Sequence, residues 1–132
     1  MSRKDLVGEW LASGLRDLDS AKFPMAMRPK PLEIIGFHCQ QAVEKHLKAF
    51  LVSNALVPDK THDLLFLLRE CSAFDSDFQN LAPACAMLTE YAVRTRYPHP
   101  GTVDEPMIGA AIDHASGATD YVRRLLDGKD SA

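Results

Sequence analysis

Residues able to bind phosphate and to transfer protons are concentrated in one short segment, Tyr91-Ala-Val-Arg-Thr-Arg-Tyr-Pro-His-Pro100. Arg94 and Arg96 carry guanidinium groups that hold phosphate oxygens through paired hydrogen bonds, and His99 carries an imidazole that titrates near neutral pH. The two prolines of the segment lack an amide proton, so a helix that reaches them must stop there. The pattern predicts a phosphate-binding cluster at a helix end, suited to a nucleotide or to RNA.

The charge balance limits how the protein can bind a polyanion. The chain has 15 basic and 18 acidic residues and a formal net charge of −3. Nucleic-acid-binding domains usually carry a basic field over a whole face, and this composition argues against one. We therefore expect any phosphate binding to depend on a local patch such as the arginine-rich segment. The length of 132 residues is that of one domain.

The cysteines point to a reducing compartment. Cys39, Cys71 and Cys85 are odd in number and widely spaced, and they form no Cys-x-x-Cys pair. This spacing is not a zinc-binding pattern, and we expect neither a metal nor a cofactor. Free thiols among apolar residues favour the cytoplasm. The charged start of the chain and the lack of an apolar run of about 20 residues argue against a signal peptide and a membrane span.

Apolar residues recur at helical spacing along the chain, without the alternation that is typical of strands. The helices predicted from this pattern run from about Arg3 to Ala21, from about Pro31 to Asn54, onward from Thr61, onward from Asp75 and onward from Thr102. Pro83 falls inside the fourth apolar stripe. It either kinks that helix or marks the first turn of a helix that starts near Leu81.

Local signals predict where several of these helices begin or end. Thr61 is a good N-cap residue, and an aspartate follows it in the first turn. Thr102-Val-Asp-Glu105 has the spacing of a capping box, in which the hydroxyl and the carboxylate each accept a backbone amide. Gly128 is typical of a helix C-terminus. We therefore predict a helical domain over residues 1–128 and a disordered tail over residues 129–132.

Several amphipathic helices joined by short loops predict an all-α fold, an antiparallel up-and-down bundle of four or five helices. Small residues are frequent on the last predicted helix. They are Gly109, Ala110, Ala111, Ala115 and Gly117. Such residues permit close packing of helices, either within one chain or between two copies of it.

Four segments occur in an order and spacing that resemble a known family. They are Trp10-Leu-Ala-Ser-Gly-Leu-Arg-Asp-Leu-Asp-Ser-Ala21, Phe37-His-Cys-Gln-Gln-Ala-Val-Glu-Lys-His-Leu-Lys-Ala-Phe-Leu51, Thr61-His-Asp-Leu64 and Arg96-Tyr-Pro98. Together they resemble the HEPN domain (higher eukaryotes and prokaryotes nucleotide-binding) over nearly the whole chain. The resemblance implies a helical bundle that forms a homodimer. It also implies a partner, because many small members are encoded beside a minimal nucleotidyltransferase (MNT), and some such pairs act as toxin and antitoxin.

The resemblance further implies an activity. Active toxins of the HEPN family are metal-independent endoribonucleases whose signature is an arginine, four to six residues and then a histidine, with two copies meeting across the dimer. Arg94 and His99 have this spacing, with four residues between them. By resemblance, these two residues are the catalytic candidates. Arg94, Arg96 and Tyr97 are the candidates for binding nucleotide or RNA phosphate.

The same residues have simpler interpretations. Arg94 and Arg96 carry positive charge that would stabilise a helix C-terminus by about 0.3–1 kcal/mol. Tyr97 would pack against the end of the bundle, and His99 would be an exposed histidine without a function. These alternatives remain open from the sequence.

Polar residues on the second predicted helix are also ambiguous. His38, Gln41 and Lys45 share one helical face, which is either a polar binding patch or an ordinary solvated surface. For His46 and His62 we predict local or packing contacts rather than a function.

Three hypotheses about function follow. The first is a HEPN domain that binds nucleotide or RNA phosphate and cleaves RNA, as the toxin-like component of a HEPN/MNT pair. The second is a non-catalytic helical binding module, an accessory subunit for a nucleotidyltransferase partner. The third is a pocket for a small ligand between the helices.

Overall fold

The computed structural model describes residues 1–92 and 103–131, with the side chains of residues 129–131 excepted. All regular elements within these residues are helical, so the predicted all-α bundle is confirmed. The α-helices are α1 (Arg3–Lys22), α2 (Leu32–Ser53), α3 (Leu64–Phe74), α4 (Ala82–Leu88) and α5 (Glu105–Ser131). Short 3₁₀ turns lie at Phe23–Ala26, Ser76–Leu81 and Thr89–Tyr91.

The start of α3 differs from the prediction. Asp63, not Thr61, is the N-cap, and its carboxylate accepts hydrogen bonds from the backbone amides of Leu65 and Phe66. The hydroxyl of Thr61 instead accepts the amide of Asp63 at 3.1 Å. Thr61 therefore supports the turn that leads into the helix, while Asp63 satisfies the first free amides of the helix.

Both predicted ends of the last helix also differ. The helix begins at Glu105, and Asp104 Oδ1 accepts the amide of Met107 at 2.8 Å. The capping box required the helix to begin directly after Thr102, which lies outside the described residues. At the other end the backbone stays helical to Ser131, past Gly128. Glycine is common beyond a helix end, but it does not by itself stop a helix.

The structure resolves the alternatives for Pro83. It lies in the first turn of α4, where its missing amide proton has no partner to lose. The preceding 3₁₀ turn places Phe78 in the core. The centroid of its ring lies 4.4 Å from that of Phe50 and 5.2 Å from that of Tyr121. The proline therefore starts a helix rather than kinking one.

Helix α2 lies at the centre of the bundle and contacts each of the other four α-helices. Its fully buried side chains include Ile35, Leu47 and Phe50. The small residues of α5 fall into two groups, one buried and one facing open space. Ala111 and Ala115 are buried in the core, whereas a Cβ added at Gly117 would meet nothing within 4 Å. The alanines thus allow α5 to pack closely within the chain.

All three cysteines are buried free thiols, as predicted. Burial raises the pKa of Cys39 and of Cys85 to about 12, and it also raises the pKa of Cys71. These thiols remain protonated and unreactive while the protein is folded. Among the helices of the described part of the chain, none combines the length and the apolar character needed to cross a bilayer.

Candidate functional site

The predicted site residues Arg94, Arg96, Tyr97 and His99 lie within residues 93–102, outside the described residues. Their catalytic and phosphate-binding roles therefore remain predictions. The described residues on either side of this segment show where in the fold it begins and ends.

The segment begins beside the first half of α2. The ring of Tyr91 packs so closely on Gly36 that a Cβ there would lie 2.6 Å from the tyrosine Cδ1 atom. The hydroxyl of Thr89 accepts the backbone amide of Leu64 at 3.3 Å, which joins the same turn to the start of α3. Burial raises the pKa of Tyr91, and the nearby Glu90 adds to this effect. The chain therefore enters the segment from a point held against α2.

The segment ends at the start of α5. Val103 packs against the hydrophobic core, and Asp104 caps the helix. Glu105 forms an ion pair of 3.4 Å with Lys30, which lies just before α2. Both ends of the segment are thus held near the end of the bundle at which α2 and α5 begin.

A cluster of three ionisable side chains joins α1 to α2, and we name it the Asp17 cluster. Asp17 Oδ1 lies 2.9 Å from Nδ1 of His38, and Oδ2 lies 2.6 Å from Nζ of Lys45. The interpretation of His38 and Lys45 as an ordinary solvated surface is therefore wrong. Gln41 does not join them, because its Nε2 donates to Gln40 Oε1 at 2.7 Å.

Sequence reasoning gave Asp17 no role, although a signal was present. It occupies the same face of α1 as the buried residues Gly14, Leu18 and Ala21. A carboxylate in such a face needs a partner, because an unpaired buried charge is costly. Which residues provide that partner depends on how α1 meets α2.

A second buried carboxylate, Glu44, lies on α2 and forms a separate network. Its Oε1 accepts Nε2 of Gln40 at 3.1 Å and lies 2.9 Å from Nδ1 of His62. Its Oε2 pairs with Nζ of Lys48 at 3.1 Å. The ammonium of Lys48 lies 5.6 Å from the centre of the Trp10 ring, which adds a cation–π contact. This network attaches the loop before α3 to α2, and His62 makes a contact within the chain, although its partner lies 18 residues away.

His46 is fully buried between three helices. Its Nδ1–H donates to the carbonyl oxygen of Ala42 at 2.7 Å, and its Nε2 lies 3.4 Å from the guanidinium of Arg123 on α5. Gly14 of α1 makes room for the ring, since a Cβ there would lie 2.5 Å from Nδ1. Burial, together with the nearby charge of Arg123, lowers the pKa of His46 to about 4. The imidazole is therefore neutral at physiological pH and serves packing.

The all-α bundle places the chain among small helical domains. The sequence model of the HEPN domain matches residues 7–125, so the chain belongs to the HEPN domain family. The crystal structure of TT1696 from Thermus thermophilus is similar, with a TM-score of 0.76 and 25% sequence identity. The match covers 89% of this chain and 96% of TT1696. Among curated proteins, none matches the chain.

Proposed function

We propose that this HEPN domain binds a phosphate group of RNA through Arg94, Arg96 and Tyr97 and cleaves the RNA without a metal ion, using His99. A nucleotide is the smaller ligand with the same chemistry. The observation that carries the proposal is the Arg-x4-His spacing of Arg94 and His99 in a chain that belongs to the HEPN family. RNase and nucleotide-binding roles are associated with that family.

The chemistry needs one proton acceptor, one proton donor and a stabiliser of negative charge. His99 takes the proton of a ribose 2′-OH, and that oxygen attacks the adjacent phosphorus. The bond from phosphorus to the 5′-oxygen breaks, and the departing oxygen takes a proton from a protonated imidazole. Arg94 stabilises the charge that develops on the phosphate oxygens. The products are a 2′,3′-cyclic phosphate and a 5′-hydroxyl.

A homodimer would supply the second imidazole, since two copies of the segment would then contribute to one cleft. We further propose an MNT-type nucleotidyltransferase as the partner that restrains this activity, in the manner of a toxin–antitoxin pair. The net charge of −3 favours recognition through a local patch rather than through a basic face.

The test is cleavage of end-labelled single-stranded RNA by the purified protein in the presence of EDTA. We expect fragments that end in a 2′,3′-cyclic phosphate. His99→Ala and Arg94→Ala should each lower the rate by at least about 100-fold, because general acid–base groups and oxyanion stabilisers contribute that much or more. His114→Ala is the matched control, since it removes an imidazole from the interior of α5.

Equal cleavage by the wild type and by His99→Ala would remove the catalytic role of His99. The accessory-subunit hypothesis makes a different prediction: no RNA cleavage by the pure protein and stable co-purification with the nucleotidyltransferase. The acidic net charge is the observation that favours this second function.

A further inference from the structure

The Asp17 cluster has an arrangement that ion pairing alone does not require. Its carboxylate is the most deeply buried member, with 12% of the Asp17 side chain exposed against 23% for both His38 and Lys45. The donors therefore lie outward and the acceptor lies beneath them. Replacing a buried ion pair by apolar residues is often neutral or stabilising, so stability alone does not explain why these residues are present.

His38 adds a second partner to a carboxylate that is already paired with Lys45. The contact with Asp17 uses Nδ1 of the imidazole. Among the described residues, none bonds to Nε2 of His38. A carboxylate that is hydrogen-bonded to one ring nitrogen fixes the orientation of the imidazole, so the other nitrogen points in a defined direction. The ammonium of Lys45 likewise has three N–H donors, and its ion pair with Asp17 occupies one of them.

The cluster lies at about the same level along α2 as the start of the proposed phosphate-binding segment. His38 follows Gly36 by two residues on α2, which is about 3 Å along the helix axis and about 200° around it, so the two residues face different sides of α2. Gly36 is the residue on which Tyr91 packs immediately before the segment. The described residues contain no group of three or more His, Cys, Asp or Glu side chains arranged to hold a metal. Outward donors above a buried carboxylate instead suit an oxyanion.

We propose that the Asp17 cluster binds a second phosphate group, through Nζ of Lys45 and an N–H at Nε2 of His38. Asp17 orients both donors and is a positioning residue. The inference rests on the proposed function for the class of its ligand. The phosphate belongs either to a nucleotide or to the neighbouring linkage of an RNA strand, and both present the same oxygens to the cluster.

The first experiment measures affinity rather than cleavage, by fluorescence anisotropy with labelled single-stranded RNA on the His99→Ala background. Lys45→Gln should weaken binding about tenfold, the usual effect of one charge-assisted contact. It should also reduce the slope of log K against log salt by about 0.7, the value for one phosphate of a single strand. Lys45→Arg should retain most of the affinity. Lys4→Gln, on the exposed start of α1, is the control with the same change of charge.

Two substitutions of His38 separate ligand binding from a purely structural role. His38→Asn keeps a donor near the position of Nδ1 for Asp17 but lacks Nε2. His38→Gln places an amide near the position of Nε2 but lacks the donor to Asp17. If Nε2 holds phosphate, Asn should weaken binding about tenfold with an unchanged melting temperature, and Gln should bind better than Asn. A structural role predicts that only Gln lowers the melting temperature and that both keep the wild-type affinity.

The outcomes distinguish this inference from the proposed function. Wild-type affinity in Lys45→Gln and His38→Asn, with loss of affinity in Arg94→Ala, would overturn the inference and leave the proposed function standing. Weaker binding by Lys45→Gln together with no cleavage by the wild type would support the inference and contradict the proposed nuclease activity. In a parallel titration with ADP, binding of ADP without binding of the RNA would identify a nucleotide as the ligand. Failure of the wild type to bind either probe would overturn both.

Discussion

Lowering the pH from 7.5 to 4.5 is expected to destabilise the protein through His46. The folded state holds this imidazole neutral, because it is buried and faces the guanidinium of Arg123. The unfolded chain binds the proton with an ordinary pKa of 6.5. Between about pH 6.5 and pH 4 the unfolded state therefore carries more protons than the folded state, and stability falls as the pH falls.

The size of the effect follows from the two pKa values. With 6.5 in the unfolded state and about 4 in the folded state, His46 alone removes about 2.5 kcal/mol between pH 7.5 and pH 4.5. This is a large fraction of the roughly 5–15 kcal/mol that stabilises a typical domain. The hydrogen bond to the carbonyl of Ala42 and the nearby Asp17 carboxylate act in the opposite direction, but burial is the largest cause.

The assay is urea unfolding followed by circular dichroism at a series of pH values. His46→Asn is the informative variant, because its side-chain amide retains a donor toward the carbonyl of Ala42 and does not titrate. It is expected to be less stable at pH 7.5, because it leaves a cavity. Its loss of stability on acidification should nevertheless be about 2.5 kcal/mol smaller than that of the wild type. His114→Asn, on the half-buried side of α5, should behave like the wild type.

Identical losses in the wild type and in His46→Asn would refute this reasoning. All the other ionisable groups of the chain are present in both proteins. The comparison therefore isolates the histidine.

Two further predictions concern packing. Gly36→Ala should destabilise the protein by about 1–3 kcal/mol, because the new methyl group overlaps the ring of Tyr91, and it should reduce cleavage in the RNA assay by moving the start of the arginine-rich segment. The control Gly8→Ala has open space around its Cβ and should stabilise the protein by about 0.5–1 kcal/mol. Equal urea midpoints for the two variants would contradict the contact between Gly36 and Tyr91. The thiols should not react with Ellman's reagent at pH 8 until denaturant unfolds the chain, whereas rapid reaction of the native protein would show that one is accessible. They are Cys39, Cys71 and Cys85.

Helix positions were largely predictable, because helical periodicity is a local property of the sequence. The exact ends were less so. Thr61 and Asp63 are both good cap residues, and the choice between them depends on the direction in which the chain enters α3. Gly128 permits a helix to end but does not require it, and α5 continues to Ser131.

The polar networks could not be predicted, because their partners are distant in sequence. Asp17 and His38 are separated by 21 residues, and Glu44 and His62 by 18. Each pair depends on how two elements lie against each other. The spacing on α2 placed His38 and Lys45 on one face, but it contained no information about the carboxylate opposite them.

The sequence by itself determined the helical class, the family and the spacing of Arg94 and His99, because each of these is encoded by neighbouring residues. Tertiary structure alone decided that Asp17 lies beneath His38 and Lys45, that His46 is neutral and that Tyr91 packs on Gly36. The physical reason is that burial and pairing depend on which helix faces meet, and helix faces meet only when the whole bundle has formed.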